Sequence, residues 1–546
     1  MPKVYVDGQE VEFKEGERLN CIQAATRAGG IDIPHYCWHP GLSIVASCRM
    51  CLVQTGKKDP ATGEASVVPK LVPGCQTPVT DNMVIVTNND AVRNDRAMVE
   101  EDLLIRHPVD CPICDKAGEC HLQDYHFEHG REERRADIKP FTSRRRELGE
   151  TITLFVDRCV MCSRCVRFTR EISGTSELMV INRGAHEEID VFPGHPLANK
   201  LSGNVSDICP VGALGDRDFL YQQRVWFMKS HDNVCANCAT GCSIRVDENQ
   251  DRIYRLKPRE NPHVNQWWMC DEGRYGWKHV HDKARVTELR KREGAAYINL
   301  EWSQLVVDLD ARLRKGKRLA AVISPMLTVE EAYLLIKYIQ SIDAKALLVL
   351  GHVPVIGQDE TFKNGFTIRA EKCPNRLGVT KLLSALAGEI IAWGDLSKRL
   401  AAETFDALWI TGGYGMPWHD AESVSAIGEV PTLIVQDMFD SPLYSAATYQ
   451  LPGGAFPERE GSYVNIQDRL QSFKWSVRPP QGVNTEGQVY WKLLKKTGLY
   501  NARRVLDDVS REIIAFSAAQ AAVPPHGVDL KVNQLAAQPE VATANA

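Results

Sequence analysis

Apolar and polar positions alternate over residues 3–13. Val4, Val6, Val11 and Phe13 fall into two short runs on either side of Asp7-Gly8. A period of two around a strong turn dipeptide predicts a β-hairpin. Leu19, Ile22 and Ala25 then switch to helical spacing, and Gly29-Gly30 supplies the stop. Two strands, a helix and a loop carrying cysteines predict a small β-grasp domain to about residue 88. Residues 91–107 read as a helix that Pro108 ends, because proline disfavours helical backbone in the residue before it. The Arg- and Glu-rich stretch 131–146 reads as a solvated linker face or a subunit contact.

The texture changes from about residue 287. Leu319–Ser324, Ala346–Leu350, Ala407–Thr411 and Thr432–Val435 are short apolar runs of the kind that form strands buried on both faces. Thr328, followed by Glu331 three residues on, is a capping box that predicts a helix start between the two. Strands alternating with helices imply a parallel α/β sheet. After about residue 516 the chain is rich in Ala, Pro, Gln and Val without helical periodicity, which predicts a disordered tail.

Length, charge and termini narrow the function. At 546 residues the chain is expected to form several domains. A formal net charge of −5 offers no basic field for nucleic acid. The opening Met1-Pro2-Lys3-Val4 has neither an apolar signal core nor an Arg/Ser-rich transit pattern, so the chain is expected to stay where it is made. The longest apolar stretches, such as Lys345–Gly351, are too short to span a bilayer.

The cysteines change the picture most. Fifteen of seventeen fall into four groups spaced like ligands of iron–sulfur clusters, leaving only Cys21 and Cys373. Without a secretion signal, so many cysteines argue for metal ligation rather than disulfides. Soft thiolates suit iron, and each cluster iron needs one terminal ligand. Cys37, Cys48, Cys51 and Cys75 follow Cys-x10-Cys-x2-Cys-x23-Cys. They share the short middle step of plant-type ferredoxins, so a [2Fe–2S] cluster is expected, with the polar insertion Lys57–Gly63 looping out. Cys111, Cys114 and Cys120 form a group of three, which leaves one iron of a cubane for an imidazole. His107, His121, His126 and His129 compete for that place on spacing alone. Cys159, Cys162 and Cys165 repeat every three residues, wrapping one corner of a [4Fe–4S] cube. The position where a two-cluster ferredoxin has its fourth cysteine is Thr169, so the remote Cys209, followed by Pro210, completes the set. Cys235, Cys238, Cys242 and Cys270 fit a further [4Fe–4S] cluster, with a zinc ribbon as competitor. No strand is followed by Gly-x-Gly-x-x-Gly and no P-loop appears. The chain thus shows no recognisable site for NADH or flavin, so its electrons are expected from a partner, and no residue here is expected to be catalytic by itself.

Read together, the motifs Ser47-Cys48-Arg49-Met50-Cys51, His107-Pro108-x2-Cys111-Pro112-x-Cys114, Cys159-x2-Cys162-x-Arg164-Cys165-Val166-Arg167 and Cys209-Pro210-Val211-Gly212 resemble the large iron–sulfur subunits of bacterial NADH:quinone oxidoreductase, respiratory complex I. The resemblance runs to about residue 515. Pro457–Asn465, with Arg469 and Gln471, is similar to a pterin-loop segment of molybdopterin oxidoreductases. Cys373 stands in a context unlike a molybdenum-binding loop, so that region looks like a shortened remnant and no molybdenum is expected. The resemblance implies a multidomain α+β and α/β chain. A [2Fe–2S] domain over 1–88 is followed by a [4Fe–4S] domain with one histidine and three cysteines over 89–150. A ferredoxin-type [4Fe–4S] domain over 151–228 precedes a molybdopterin oxidoreductase-type [4Fe–4S] domain over 229–286. A shortened α/β domain over 287–515 and a tail over 516–546 complete the chain. The resemblance selects His107 as the fourth ligand beside Cys111, Cys114 and Cys120. It implies electron relay from a flavin subunit toward quinone-binding subunits, through the [2Fe–2S], Cys159 and His107 sites in turn, with the fourth cluster off the path. It also implies ion (proton) translocation by the whole complex and a peripheral place on the cytoplasmic face of the bacterial plasma membrane, reached through partners. NAD-linked formate dehydrogenases share all four cluster motifs, though length and the missing molybdenum ligand argue against them, and the diaphorase or iron hydrogenase group shares the first three. A zinc-bound scaffold is the non-redox alternative.

Overall fold

Val4 and Val6 are fully buried on β1 (Lys3–Val6), which pairs antiparallel with β2 (Gln9–Glu12) through the Asp7-Gly8 turn. The computed structural model describes residues 1–133, 135–140, 145–184, 186–419, 424–425, 427 and 430–531, in two compact units. One comprises residues 1–228 with 362–364, the other 229–361 with 365–546.

In the first unit, α1 (Cys21–Ala28) is capped by Asn20, with Gln23 completing the capping box. It ends at Gly29, whose φ of 74° suits glycine. The helix packs its buried Ile22 and Ala25 on β1 and β2. β3 (Leu52–Lys58), β4 (Ala65–Pro73) and β5 (Met83–Val86) complete a five-stranded sheet in the order β2-β1-β5-β3-β4, with β1 and β5 parallel. The polar insertion over 57–63 does not loop out loosely. Lys57 and Lys58 pair with Ser66 and Ala65, so it forms the end of the β3–β4 hairpin. Then α2 (Asp90–Leu104) starts on an Asn89 cap and stops short of Pro108. Of the Arg/Glu-rich stretch, residues 134 and 141–144 lie outside the described residues. Its described residues are mostly exposed, as a solvated face requires, with Arg135 paired to Glu101 and Arg146 to Glu188 and Asp190.

The second unit opens with an antiparallel meander, Lys229–Val234, Ser243–Asn249 and Arg252–Pro258. An eight-stranded sheet follows. Its parallel part contains Leu319–Ile323, Leu347–Leu350, Ala407–Thr411 and Leu433–Asp437, close to the four apolar runs of the sequence. Successive residues of one strand feed opposite cores. Leu319, Ala321 and Ile323 pack into one, Ala320 and Val322 into the other. Both faces are covered, which is why these strands read as unbroken apolar runs. The helix Val329–Gln340 begins on the Thr328–Glu331 capping box, with both reciprocal bonds made.

The disordered tail expected from residue 516 does not hold as far as 531. Phe516 and Leu530 are buried, and Val528–Asp529 pairs with Arg469–Leu470. Two large apolar side chains anchor a segment whose composition alone suggested disorder; residues 532–546 lie outside the described ones. Among the described residues no helix is long and apolar enough to cross a membrane.

Glu330 lies in the first turn of the Val329–Gln340 helix and accepts bonds from Ser462 N and Oγ at 2.7 and 2.8 Å. Burial pushes its pKa up to about 8 from an ordinary 4.5. A carboxyl whose folded pKa exceeds its unfolded value holds its proton more tightly when folded. Its contribution to stability is complete below pH 4.5 and is lost as pH rises from there to about 8. Urea unfolding at stepped pH is expected to show this fall, at most ~1.4 kcal/mol per pH unit for one proton. Glu330→Gln should flatten the profile in that window; an unchanged slope would refute the assignment.

Candidate metal centres

The first group sits on loops at one end of the five-stranded sheet. Cys51 directly precedes β3 and Cys75 follows β4. Ala46 and Arg49, on either side of Cys48, take φ values of 52° and 61°, so the loop curls tightly there. Gly74 N donates to Cys51 O at 2.9 Å, and a Cβ at Gly74 would fall 2.9 Å from that oxygen, so glycine is required. Cys37, Cys51 and Cys75 are buried. Hydrogen bonds from the Cys48 and Cys75 thiols, together with the backbone N–H groups of Cys48 and Ser47, drive the Cys37 thiol far below its usual pKa despite burial. Cys75 likewise lowers Cys51. The four sulfurs are thus gathered with one another. Cys21 is not among them: it is buried and its thiol donates to Thr77 O at 3.6 Å.

The third group lines a small enclosed cavity. Cys159, Cys162, Cys165 and Cys209 face it together with Leu154, Val211 and Leu214. Met161 and Ser163, between the cysteines, take φ values of 46° and 56°, which turns three successive thiols inward. Cys165 lies on α4 (Arg164–Phe168, with α3 being His121–His129), and Cys209 ends the short helix Asn204–Ile208. Burial, and then the charge of Cys209, raise the pKa of Cys162 to about 11. Cys165 is pushed well up by burial and then by Cys162, Cys159 and Cys209. Four thiolates here would repel one another in an apolar enclosure, so the donor set fits a multi-iron cationic core.

In the second group, Cys120 directly precedes α3 and Cys114 is buried. Arg224 holds the loop by donating to Cys111 O at 2.9 Å and Cys114 O at 3.1 Å. Burial lowers the pKa of His107, of His129 and of His121, the last to about 4, so all three favour the neutral ligating form and this property does not choose among them. His107 feels Asp157, Arg158 and Asp110, and Arg158 also acts on Cys114. His121 and His129 flank Tyr125, with ring centroids 5.5 and 6.1 Å from it. His126 folds back toward Gly130, where a Cβ would meet its Nδ1 at 2.4 Å.

These three groups are joined within the first unit. Arg167 Nη2 donates both to Cys37 O and, at 3.1 Å, to Cys162 O, linking the first group to the third. A Cβ at Gly212 would fall 2.2 Å from Cys114 Sγ, and Pro210 O accepts from His121 N at 2.9 Å. The segment that starts with Cys209 therefore runs from the third group onto the second.

The fourth group lies in the second unit. Cys235, Cys238, Cys242 and Cys270 are all buried. A Cβ at Gly273 would lie 3.1 Å from Cys235 Sγ and 3.5 Å from Cys270 Sγ, so those sulfurs share one small space. Burial raises Cys242 and Cys270 well up, and Cys235 and Cys238 add to both shifts. The segment similar to a pterin loop braces this site: Asn465 donates to Thr240 O at 3.0 Å and Gln471 to Gly241 O at 2.7 Å. Arg459 is buried between Glu486, at 2.9 Å, and Glu331, at 3.3 Å. Cys373 is fully buried with its thiol 3.7 Å from Glu371 Oε1. Among the described residues no three Cys, His, Asp or Glu side chains close on a point as they do around a single ion.

Sequence reasoning missed Arg164, Arg167 and Arg224. They stand inside or near the motifs, but nothing in their spacing marks which carbonyls they reach.

Four family models match in chain order. Residues 2–90 match a 2Fe-2S iron-sulfur cluster binding domain, and 96–135 the NADH-ubiquinone oxidoreductase-G iron-sulfur binding region. Residues 149–215 match the ferredoxin-like domain of NADH-quinone oxidoreductase subunit 3, and 228–282 the molybdopterin oxidoreductase Fe4S4 domain. The G-type NADH-quinone oxidoreductase subunit of Rickettsia felis is 34% identical over 345 residues, 63% of this chain and 49% of that protein. The NADH-ubiquinone oxidoreductase 75 kDa subunit of Reclinomonas americana is 33% identical over 359 residues, 65% of this chain and 50% of that protein. A chain of a solved NAD+-reducing [NiFe]-hydrogenase in the H2-reduced state aligns with a TM-score of 0.35 and 25% identity, over 41% of this chain and 91% of that one. The chain spans about half the length of the curated relatives it matches. With the cluster-binding domains of that family in unbroken order, the chain is a homologue of the G-type, or 75 kDa, iron–sulfur subunit of NADH-quinone oxidoreductase.

Proposed function

We propose that the chain relays single electrons from a partner that oxidises NADH at a flavin toward quinone-binding partners, as a peripheral subunit of a proton-translocating NADH:quinone oxidoreductase on the cytoplasmic face of the plasma membrane. Iron–sulfur clusters, when bound, supply the one-electron carriers. In this reading Cys37, Cys48, Cys51 and Cys75 hold a [2Fe–2S] cluster in a β-grasp, ferredoxin-like domain. Cys159, Cys162, Cys165 and Cys209 hold a [4Fe–4S] cluster, and His107 with Cys111, Cys114 and Cys120 another. The observation that carries the proposal is that contacts join all three thiol groups, the first to the third through Arg167 and the third to the second through the Cys209–Gly212 segment. Both links lie along the relay expected from the family resemblance. The residues themselves hold the sulfurs, keep the third site enclosed by apolar side chains and supply backbone N–H donors to the Cys37 sulfur. Net charge, hydrogen bonds and exposure of this kind set cluster potentials.

Cys235, Cys238, Cys242 and Cys270 hold a third [4Fe–4S] cluster that serves assembly. The segment around Arg459, Asn465 and Gln471 is engaged with the protein itself, which supports a remnant without molybdenum.

His107→Ala removes one terminal ligand, so one fast-relaxing paramagnetic signal is expected to vanish while the [2Fe–2S] signal stays. Loss of that signal in His121→Ala and not in His107→Ala would reassign the ligand.

Cys209→Ser replaces a thiolate with a poorer iron ligand. Quinone reduction by NADH in the assembled complex should fall about tenfold or more, while NADH oxidation by an artificial acceptor at the flavin partner survives. Unchanged quinone reduction in a variant lacking this cluster would take the site off the path.

Cys238→Ser should lower the yield of assembled complex and leave turnover per assembled complex within about twofold, because metal sites couple binding to folding. A large loss of turnover at normal assembly would put this site on the path.

A further inference from the structure

Arg164 and Arg167 are three residues apart on α4 and therefore neighbours on its surface. They are 5% and 3% exposed. Backbone carbonyls hold both. Arg167 donates to Cys37 O, Cys162 O and, through Nη1, Ser43 O. Arg164 donates to Trp38 O at 2.6 Å and Ile208 O at 3.1 Å. On the first site the bonded residues include a ligand, Cys37, and the residue after it. On the third they are a ligand and the residue just before Cys209. The Nε of each arginine is buried without a hydrogen-bond partner.

A buried cation is strongly disfavoured unless an opposite charge answers it. Arg167 bonds directly to the backbone of a thiol-bearing residue in each of two different sites, Cys37 in the first and Cys162 in the third. In a low-dielectric interior charge interactions are weakly screened. Reduction of a cluster adds one negative charge, which a nearby cation stabilises.

We propose that Arg167, with Arg164 beside it, is a positioning residue that locks the first and third thiol sites together and raises the reduction potential of the clusters at both. The inference rests on the cluster assignment proposed above. One cation serves two sites, so its removal should move both potentials in the same direction.

The test is a redox titration of the full-length, cluster-loaded chain, with both clusters followed by paramagnetic resonance. In Arg167→Met each reduction equilibrium constant should fall about tenfold, which is about 59 mV for a one-electron couple. In Arg167→Lys, which keeps the charge, both should stay within about threefold of the parent. If the parent chain lacks the two signals, the cluster assignment itself fails. If the signals are present but Arg167→Met leaves both midpoints in place, or moves only one, this inference alone is overturned. Should Arg167→Met not retain both clusters, Arg164→Met against Arg164→Lys is titrated with the same expectation and the same overturning results. Loss of the clusters in the lysine variants as well would make the arginines structural braces and overturn the potential-setting role.

Discussion

Gathering four sulfurs into a buried space is the constraint on which this protein is built. At the third site the Cys162 and Cys165 thiolates are disfavoured by burial and again by their neighbours. A chain does not keep such a constellation unless something positive offsets it or the backbone forces it. Here the backbone does much of the forcing. Met161 and Ser163 in left-handed conformation, and Ala46 and Arg49 likewise, turn short loops so that thiols converge instead of spreading. Such conformations in residues other than glycine are uncommon and need surrounding structure to hold them.

That surrounding structure includes arginines that bond to carbonyls of the very loops that carry the cysteines. Arg224 fixes the Cys111–Cys114 loop, while Arg164 and Arg167 tie the Cys37 loop to α4 and to the approach of Cys209. A guanidinium presents several donors in a rigid fork, so a single side chain can gather two or three carbonyls from distant segments. The spatial order of the sites follows from these links. In the chain the His107 group comes second; in space Arg167 links the first group to the Cys159 group, and Gly212 brings the segment after Cys209 against Cys114.

The second unit meets the same constraint in another form. Its parallel sheet is an ordinary doubly covered core, and the loops near Cys238 and Cys242 are braced by Asn465 and Gln471. Arg285 with Glu458, and Arg459 with Glu331 and Glu486, add fully buried ion pairs. Removing one member of such a pair strands the other charge, so these residues resist piecemeal change.

Strands with one simple periodicity were legible in the sequence: the β1–β2 hairpin and the four apolar runs of the large sheet sit where alternation or unbroken hydrophobicity put them. So was the Thr328 cap, because its chemistry is local. The four cysteine groups were legible as well, since ligand spacing is a short-range pattern. The meander over 229–258, the β3–β4 arm and the anchored segment around Phe516 and Leu530 were not, because their composition is ordinary and what holds them is not marked by local spacing. By itself the sequence determined the donor types, the tight Cys-x2-Cys steps and the local elements, all of which depend on residues close together in the chain. Only the tertiary structure decided which groups are neighbours in space, that Arg167 reaches Cys37 O and Cys162 O, and that Gly212 makes room for Cys114. Those contacts join residues up to 130 positions apart. They arise from packing, which no periodicity or spacing along the chain encodes.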